Sequence, residues 1–234
     1  MSRASLRELQ PQSLPRSISS QPSRIPGFGR LFDRLGACEC RRRVLHMLPG
    51  LLPSLLLVIP HRDPWGPLLI GIVVVTALAT ITYALTRETD FARPNESLWH
   101  ISVIGYSVPV LAMLILLPGH AELGLMTLGV LAFGDGSAAL GGKLFGGRRL
   151  PWNHRKTWAG LFCFLGAGTT VASFNYWLDS HPAVPVSVAV MIAGTASLAG
   201  AIVESLPIRS HDNFRVGVTA ALTGMFMHMF ILGW

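Results

Sequence analysis

Charge is what this chain has least of. Charged residues fill 13% of its 234 positions, where a soluble domain carries about 25%. Half of the residues are hydrophobic, so the composition excludes a soluble globule and indicates an integral membrane protein. Acids are scarcer than bases, 12 against 19. That positive excess does not make a nucleic-acid partner. Nine of the 19 lysines and arginines fall in the first 43 positions, and most others sit in short loops between apolar runs. No basic face with interleaved aromatics is left to read bases. Cysteine is rare too. Cys38, Cys40 and Cys163 have no metal-binding spacing and offer no disulfide framework. No apolar stretch follows the early arginines, so no secretory signal is expected.

What is present divides in two. Residues 1–43 are rich in Ser, Pro and Arg. Such a segment cannot bury enough surface to offset its ordering entropy, and disorder is expected. Its first 30 residues hold seven serines, five arginines and one acid, Glu8, which also fits an organellar transit peptide. Residues 44–234 are the expected membrane domain. They contain seven apolar runs, near 44–60, 65–85, 98–117, 121–142, 158–178, 183–203 and 214–234. A spanning helix needs about 20 largely apolar residues, so the expected fold is an all-α polytopic bundle of about seven transmembrane helices. The first run carries Pro49 and Pro53 and is expected to be kinked or re-entrant. With seven spans, 18 of the 19 basic residues fall on one side and Arg62 alone on the other. The positive-inside rule then puts the amino end in the cytoplasm and the carboxyl end outside.

Within this apolar background the polar groups stand out. Asp135 lies in a small-residue run from Leu128 to Lys143, and a carboxylate at such a depth is costly and usually functional. Gly134, Gly136, Gly141, Gly142 and Gly146 surround it, with Lys143 and Arg148 close behind. Glycines let a backbone approach a phosphate closely. The run is not a Walker A loop, because it has one residue too many before the lysine and Leu144 where Ser or Thr belongs. Lys156 and Thr157 stand where the next helix should begin, a natural anion site, although interfacial tryptophans and topogenic cations account for that segment equally well. Ala193, Ser197, Gly200 and Glu204 share one helical stripe, which turns Glu204 into the bundle. Asp212 and Asn213 follow. They are helix-capping types and, with Glu204, oxygen ligands for a hard cation. Arg41, Arg42 and Arg43 read as a topogenic cluster, which leaves His46 unexplained.

Together these segments resemble the CTP-dependent lipid-alcohol kinases, the phytol, dolichol and CTP-using diacylglycerol kinases that are related to phosphatidate cytidylyltransferase. The resemblance rests on Arg42-Arg43-Val44-Leu45-His46, on Gly134-Asp135 with Gly142-Lys143-Leu144-Phe145-Gly146, on Lys156-Thr157-Trp158-Ala159-Gly160, and on Glu204-Ser205-Leu206-Pro207 with Asp212-Asn213, in that order. Arg43 replaces the usual lysine, and Phe214-Arg215-Val216 departs from the common Val-Pro. The resemblance implies transfer of phosphate from CTP, or another nucleoside triphosphate, to a membrane lipid alcohol. A phytol- or polyprenol-like alcohol comes first and diacylglycerol second. It implies Mg²⁺ held by Asp135 with Glu204, Asp212 and Asn213, and catalytic roles for Asp135, Lys143, Lys156 and Glu204. Gly134, Gly136, Gly141, Gly142, Gly146, Arg148, Thr157, Arg43 and His46 would bind the nucleotide. The expected setting is the cytoplasmic side of a bacterial inner membrane or an organellar membrane. The alternatives are cytidylyl transfer forming a CDP-lipid, whose His-Gly-Gly-x-x-Asp-Arg run is missing here, and a cation-coupled transporter.

Overall fold

The computed structural model describes residues 37–59, 65–86, 99–208 and 212–233. Residues 1–36 lie outside the described residues, and so does the expectation of disorder there. So do the loop cations Arg62, Arg87, Arg93 and Arg209. Helix α1 (Ala37–Met47) begins before the expected boundary at 43. Glu39 stands three and four residues ahead of Arg42 and Arg43 and pairs with both, a spacing that supports a helical turn.

The first apolar run is not an α-helix. Leu48–Leu57 is a 3₁₀ segment with Pro49 near its start and Pro53 inside it. Proline supplies no N–H, so the Gly50 carbonyl finds no i+3 donor at residue 53. Asn175 supplies one from another helix at 3.2 Å, and the same amide donates to the Leu125 carbonyl at 3.1 Å. Next come α2 (Pro67–Thr86) and α3 (Trp99–Leu116). A continuous helical rod, Pro118–Leu144, contains α4 (Ala121–Gly129), a π-helical turn Val130–Asp135, and α5 (Gly136–Leu144). Helices α6 (Trp158–Asp179), α7 (Val186–Ser205) and α8 (Asp212–Leu232) complete the chain.

The protein is an all-α membrane bundle. Helices occupy each of the expected runs from 65 onward. Pro118–Leu144, Val186–Ser205 and Asp212–Leu232 are long and apolar enough to cross a membrane, while Pro67–Tyr83 and Ile101–Leu116 are shorter apolar stretches. The interrupted rod is the centre. Its most apolar stretch is 67% buried, against 39% and 33% for α7 and α8. Leu123, Met126, Val130 and Leu131 on the rod pack with Phe164, Tyr176, Ile192 and Ala220 in one core. Small residues let the backbones approach, as membrane packing requires. A Cβ at Gly129 would sit 2.8 Å from Ala172 Cα on α6. The stripe read on α7 is buried throughout, at Ala193, Ser197, Gly200 and Glu204.

Candidate active site

Asp135 closes the π-helical turn in the central rod. Such turns re-aim side chains inside an otherwise regular helix and recur at functional sites. Here the turn places Asp135 on the wall of a polar cavity of about 1020 Å³ at one end of the bundle. Helix α1 adds Arg42, Arg43 and His46 to that wall, and α5 adds Gly142 and Lys143. The loop 145–157 adds Gly146, Gly147, Arg149, Arg155, Lys156 and Thr157. Glu204 comes from the end of α7, and Asp212 and Asn213 from the start of α8. Four separate stretches of sequence thus share one chamber.

The loop is held in place by local chemistry. Gly146 and Gly147 adopt φ of +61° and +88°, a left-handed region that glycine enters without penalty. The returning strand of the loop pairs with the outgoing one, with Leu150 N–H donating to the Lys156 carbonyl at 3.0 Å and Trp158 N–H to the Arg148 carbonyl at 3.1 Å. Asn153 latches the loop to α7 by donating to the Ser205 carbonyl at 3.0 Å, and Trp152 donates to Ser205 Oγ at 3.0 Å. Thr157 caps α6 by accepting the Gly160 N–H at 3.1 Å, the standard N-cap bond.

Inside the cavity each acid has a cation. Arg43 donates to Asp135 Oδ2 at 3.0 Å and to Glu39 Oε1 at 3.2 Å. His46 Nε2 lies 3.5 Å from Asp135 and 3.3 Å from the Leu131 carbonyl. Its ring meets Tyr106 edge-on, and Tyr106 donates to the His46 carbonyl at 3.3 Å. Lys156 is ion-paired with Glu204. Arg215 pairs with Asp212 at 2.6 Å. Asp135 and Asp212 are both near enough to act on the charge of Glu204, and Lys156 acts on Asp135. Six lysines and arginines line the cavity against three carboxylates. That surplus suits a polyanion, and arginine's planar fork suits phosphate oxygens in particular.

The donors also fit a divalent ion of the Mg²⁺ type. Asp135, Glu204, Asp212 and Asn213 are hard oxygen donors on one chamber. They do not converge into a complete cage. Among the described residues, the three-residue group with converging ligand atoms is His120, Glu122 and His228, at the opposite end of the central rod. Mg²⁺ is normally held by one or two carboxylates, with water and phosphate supplying the rest, and an incomplete set of carboxylates matches that habit.

The expected residues fall into two groups. Asp135, Lys143, Lys156, Glu204, Gly142, Gly146, Thr157, Arg43, His46, Asp212 and Asn213 all line the cavity. Gly134, Gly136, Gly141 and Arg148 do not. Gly141 and Gly142 lie inside α5, so their amides serve the helix, and the backbone left open to a phosphate is at Gly146 and Gly147. Gly141 is a packing residue, because a Cβ there would lie 2.2 Å from Cys163 Sγ. Arg148, Arg149 and Arg155 are all exposed, but only Arg149 and Arg155 line the chamber. Sequence reasoning missed those two, along with Arg42, Ser102 and Glu39. Glu39 organises Arg42, Arg43 and, at 3.9 Å, Lys143. Its i+3 and i+4 spacing to two arginines was the signal that could have revealed it.

No protein-family model matches the chain, and no solved structure matches it. A chloroplastic farnesol kinase of Arabidopsis thaliana is 34% identical over 101 residues. A probable chloroplastic phytol kinase of Zea mays is 25% identical over 226 residues, spanning 85% of this chain. The chain is similar to proteins named as phytol and farnesol kinases. Coverage of these kinases is uneven. The match takes in 33% of the farnesol kinase, 71% of the maize protein, and 36% of phytol kinase 1 of Arabidopsis thaliana, which is 29% identical over 109 residues.

Proposed function

We propose that the protein is a lipid-alcohol kinase that transfers the terminal phosphate of a nucleoside triphosphate, CTP by the family resemblance, to the hydroxyl of a membrane alcohol of the phytol or farnesol type. The observation that carries this reading is the single polar chamber of about 1020 Å³ in which the four motif segments meet, with its surplus of cations. The kinship with kinases of phytol and farnesol supports it.

The chemistry is mostly positioning and charge neutralisation, as phosphoryl transfer requires. The hydroxyl oxygen bonds to the γ-phosphorus, and the bond from that phosphorus to the β–γ bridging oxygen breaks. The products are a lipid monophosphate and a nucleoside diphosphate, and the hydroxyl proton leaves into the water of the chamber. Arg43, Lys143, Arg149, Arg155 and Lys156 hold the phosphates, and the Gly146–Gly147 turn lets the backbone come close. Asp135, Glu204 and Asp212, with Asn213, would hold Mg²⁺, which would supply positive charge to neutralise the phosphates. Arg43 pairs with the half-buried Asp135 and Lys156 with the buried Glu204. The chamber belongs to the side of the membrane that carries the basic loops.

The test uses the purified full chain with Mg²⁺, a panel of lipid alcohols and CTP labelled at either the γ or the α position. Label from γ-CTP on the lipid is the expected result. Label from α-CTP on the lipid would instead mean cytidylyl transfer, and label from neither, with none from γ-labelled ATP or UTP, would overturn the phosphotransfer reading. Competition by ATP and UTP fixes the donor.

A further inference from the structure

A second cavity, of about 380 Å³, lies beside the first. It is an apolar groove between the 3₁₀ segment Leu48–Leu57, α2 and α3. The groove exists because the two prolines divert the 3₁₀ segment and because α2 packs on α3 without packing closely on that segment. Its walls are apolar, yet four of its lining residues, Arg42, His46, Ser102 and Asn213, also line the polar chamber. The two cavities therefore share a polar rim. At the other end lies Trp65, 4% exposed. Its backbone N–H donates to the Pro118 carbonyl at 3.3 Å and its indole N–H to Asp179 at 3.4 Å. From Ser102 at the rim to Leu114 near the floor, α3 rises about 18 Å at 1.5 Å per residue. Leu52 and Leu55 on one lip and Ile72 on the other are about half exposed, so the groove opens sideways, toward lipid in a bilayer.

We propose that this groove holds the hydrocarbon chain of a single-chain lipid alcohol and that Trp65 is the floor against which chain length is measured. The proposal rests on the lipid-alcohol kinase reading and adds where the chain lies. The alcohol enters from the bilayer between the 3₁₀ segment and α2. Its hydroxyl stops at the rim beside Arg42, His46 and Ser102, where it faces the phosphate chamber. A chain has to be apolar to match the walls, and it has to end in a hydroxyl to match the rim. One chain of farnesyl to phytyl length fits a groove about 18 Å deep by the α3 rise, and a glyceride with two chains does not. Selection acts through fit, because leaving bilayer lipid for an apolar groove gains no hydrophobic driving force.

The experiment has two arms on the full chain in nanodiscs. The first raises the floor. Leu69→Trp fills the groove one turn above Trp65, and Val73→Trp fills it one turn higher, each turn being about 5.4 Å. Leu69→Trp should lower kcat/KM for phytol by about tenfold or more, the scale of a misfit of one or two methylenes, while geraniol is used as before. Val73→Trp should lower both phytol and farnesol. A native-like thermal unfolding midpoint in the same preparation shows that each variant is folded. An equal fall for all three alcohols, or no change in their ratio, would overturn the proposal. The second arm does not need catalysis. A phytol analogue with a diazirine at the tail end should label residues around Trp65, Leu69 and Leu114, and phytol should compete. Labels elsewhere, or labelling that phytol fails to displace, would overturn the groove even if kinase activity is intact. Displaceable labelling there without phosphate transfer would keep the groove and sink the kinase reading.

Discussion

Asp135→Asn separates a structural ion pair from a metal ligand. The change keeps the side chain's size and removes its charge. In the native site Arg43 donates to Asp135 at 3.0 Å and to Glu39 at 3.2 Å, so the variant leaves Arg43 with one carboxylate. The stability cost is therefore that of one hydrogen bond to a charged group, about 1.5–3 kcal/mol. It is not the 3–5 kcal/mol or so of a stranded buried charge. The bundle should remain folded, with a modest fall in melting temperature. Activity should fall much further. Losing one preorganised electrostatic contribution to the transition state costs about 10²- to 10³-fold in kcat, and the Mg²⁺ concentration for half-maximal rate should rise. The assay is label transfer from γ-CTP to phytol over a Mg²⁺ titration, with thermal unfolding measured on the same protein. A rate within about tenfold of native, under 1.4 kcal/mol of barrier, with an unchanged Mg²⁺ midpoint, would refute the assignment of Asp135 to the metal.

The remaining predictions concern neighbouring parts of the site. Lys156→Met strands Glu204, 5% exposed, and should destabilise by about 3–5 kcal/mol. The double change with Glu204→Gln should restore much of the stability, read by thermal unfolding, but none of the phosphate transfer. Asn153→Ala removes the latch to Ser205 and the bond accepted from the Arg155 N–H at 3.1 Å. At about 1 kcal/mol per bond, the freed loop should raise KM for the nucleotide more than it lowers kcat, which steady-state kinetics will separate. Gly141→Ala drives a Cβ against Cys163 Sγ and should cost about 1–3 kcal/mol by overpacking. Adding Cys163→Ala removes the nearer clash and should recover part of that loss in a denaturation experiment.

The secondary structure was legible because its causes are local. Long apolar runs gave helices at α2, α3, the central rod and α6 through α8. Pro49 and Pro53 marked the run expected to be kinked or re-entrant, and that run is a 3₁₀ segment. The 3.6-residue period correctly turned Ala193, Ser197, Gly200 and Glu204 inward. Glycines were harder to read. Tight packing, a positive-φ turn and a phosphate-facing backbone all favour glycine, and only coordinates tell Gly141 against Cys163 from Gly146 at a φ of +61°. Cations in one loop were ambiguous for a similar reason. Arg148 and Arg149 are adjacent in sequence, and the course of the loop decides that the second lines the chamber and the first does not.

By itself the sequence determined that this chain lives in a membrane, where its helices lie, and which acids were too costly to be incidental. Each of those follows from composition or from a period shorter than one helix. The chamber is different in kind. Arg43 meets Asp135 across 92 residues of chain, and Lys156 meets Glu204 across 48. No local rule carries such pairings, because they depend on how whole helices pack around a π-turn. The apolar groove is further still from the sequence. It is a space left by two prolines and one loosely packed helix, and a space has no residues of its own to read.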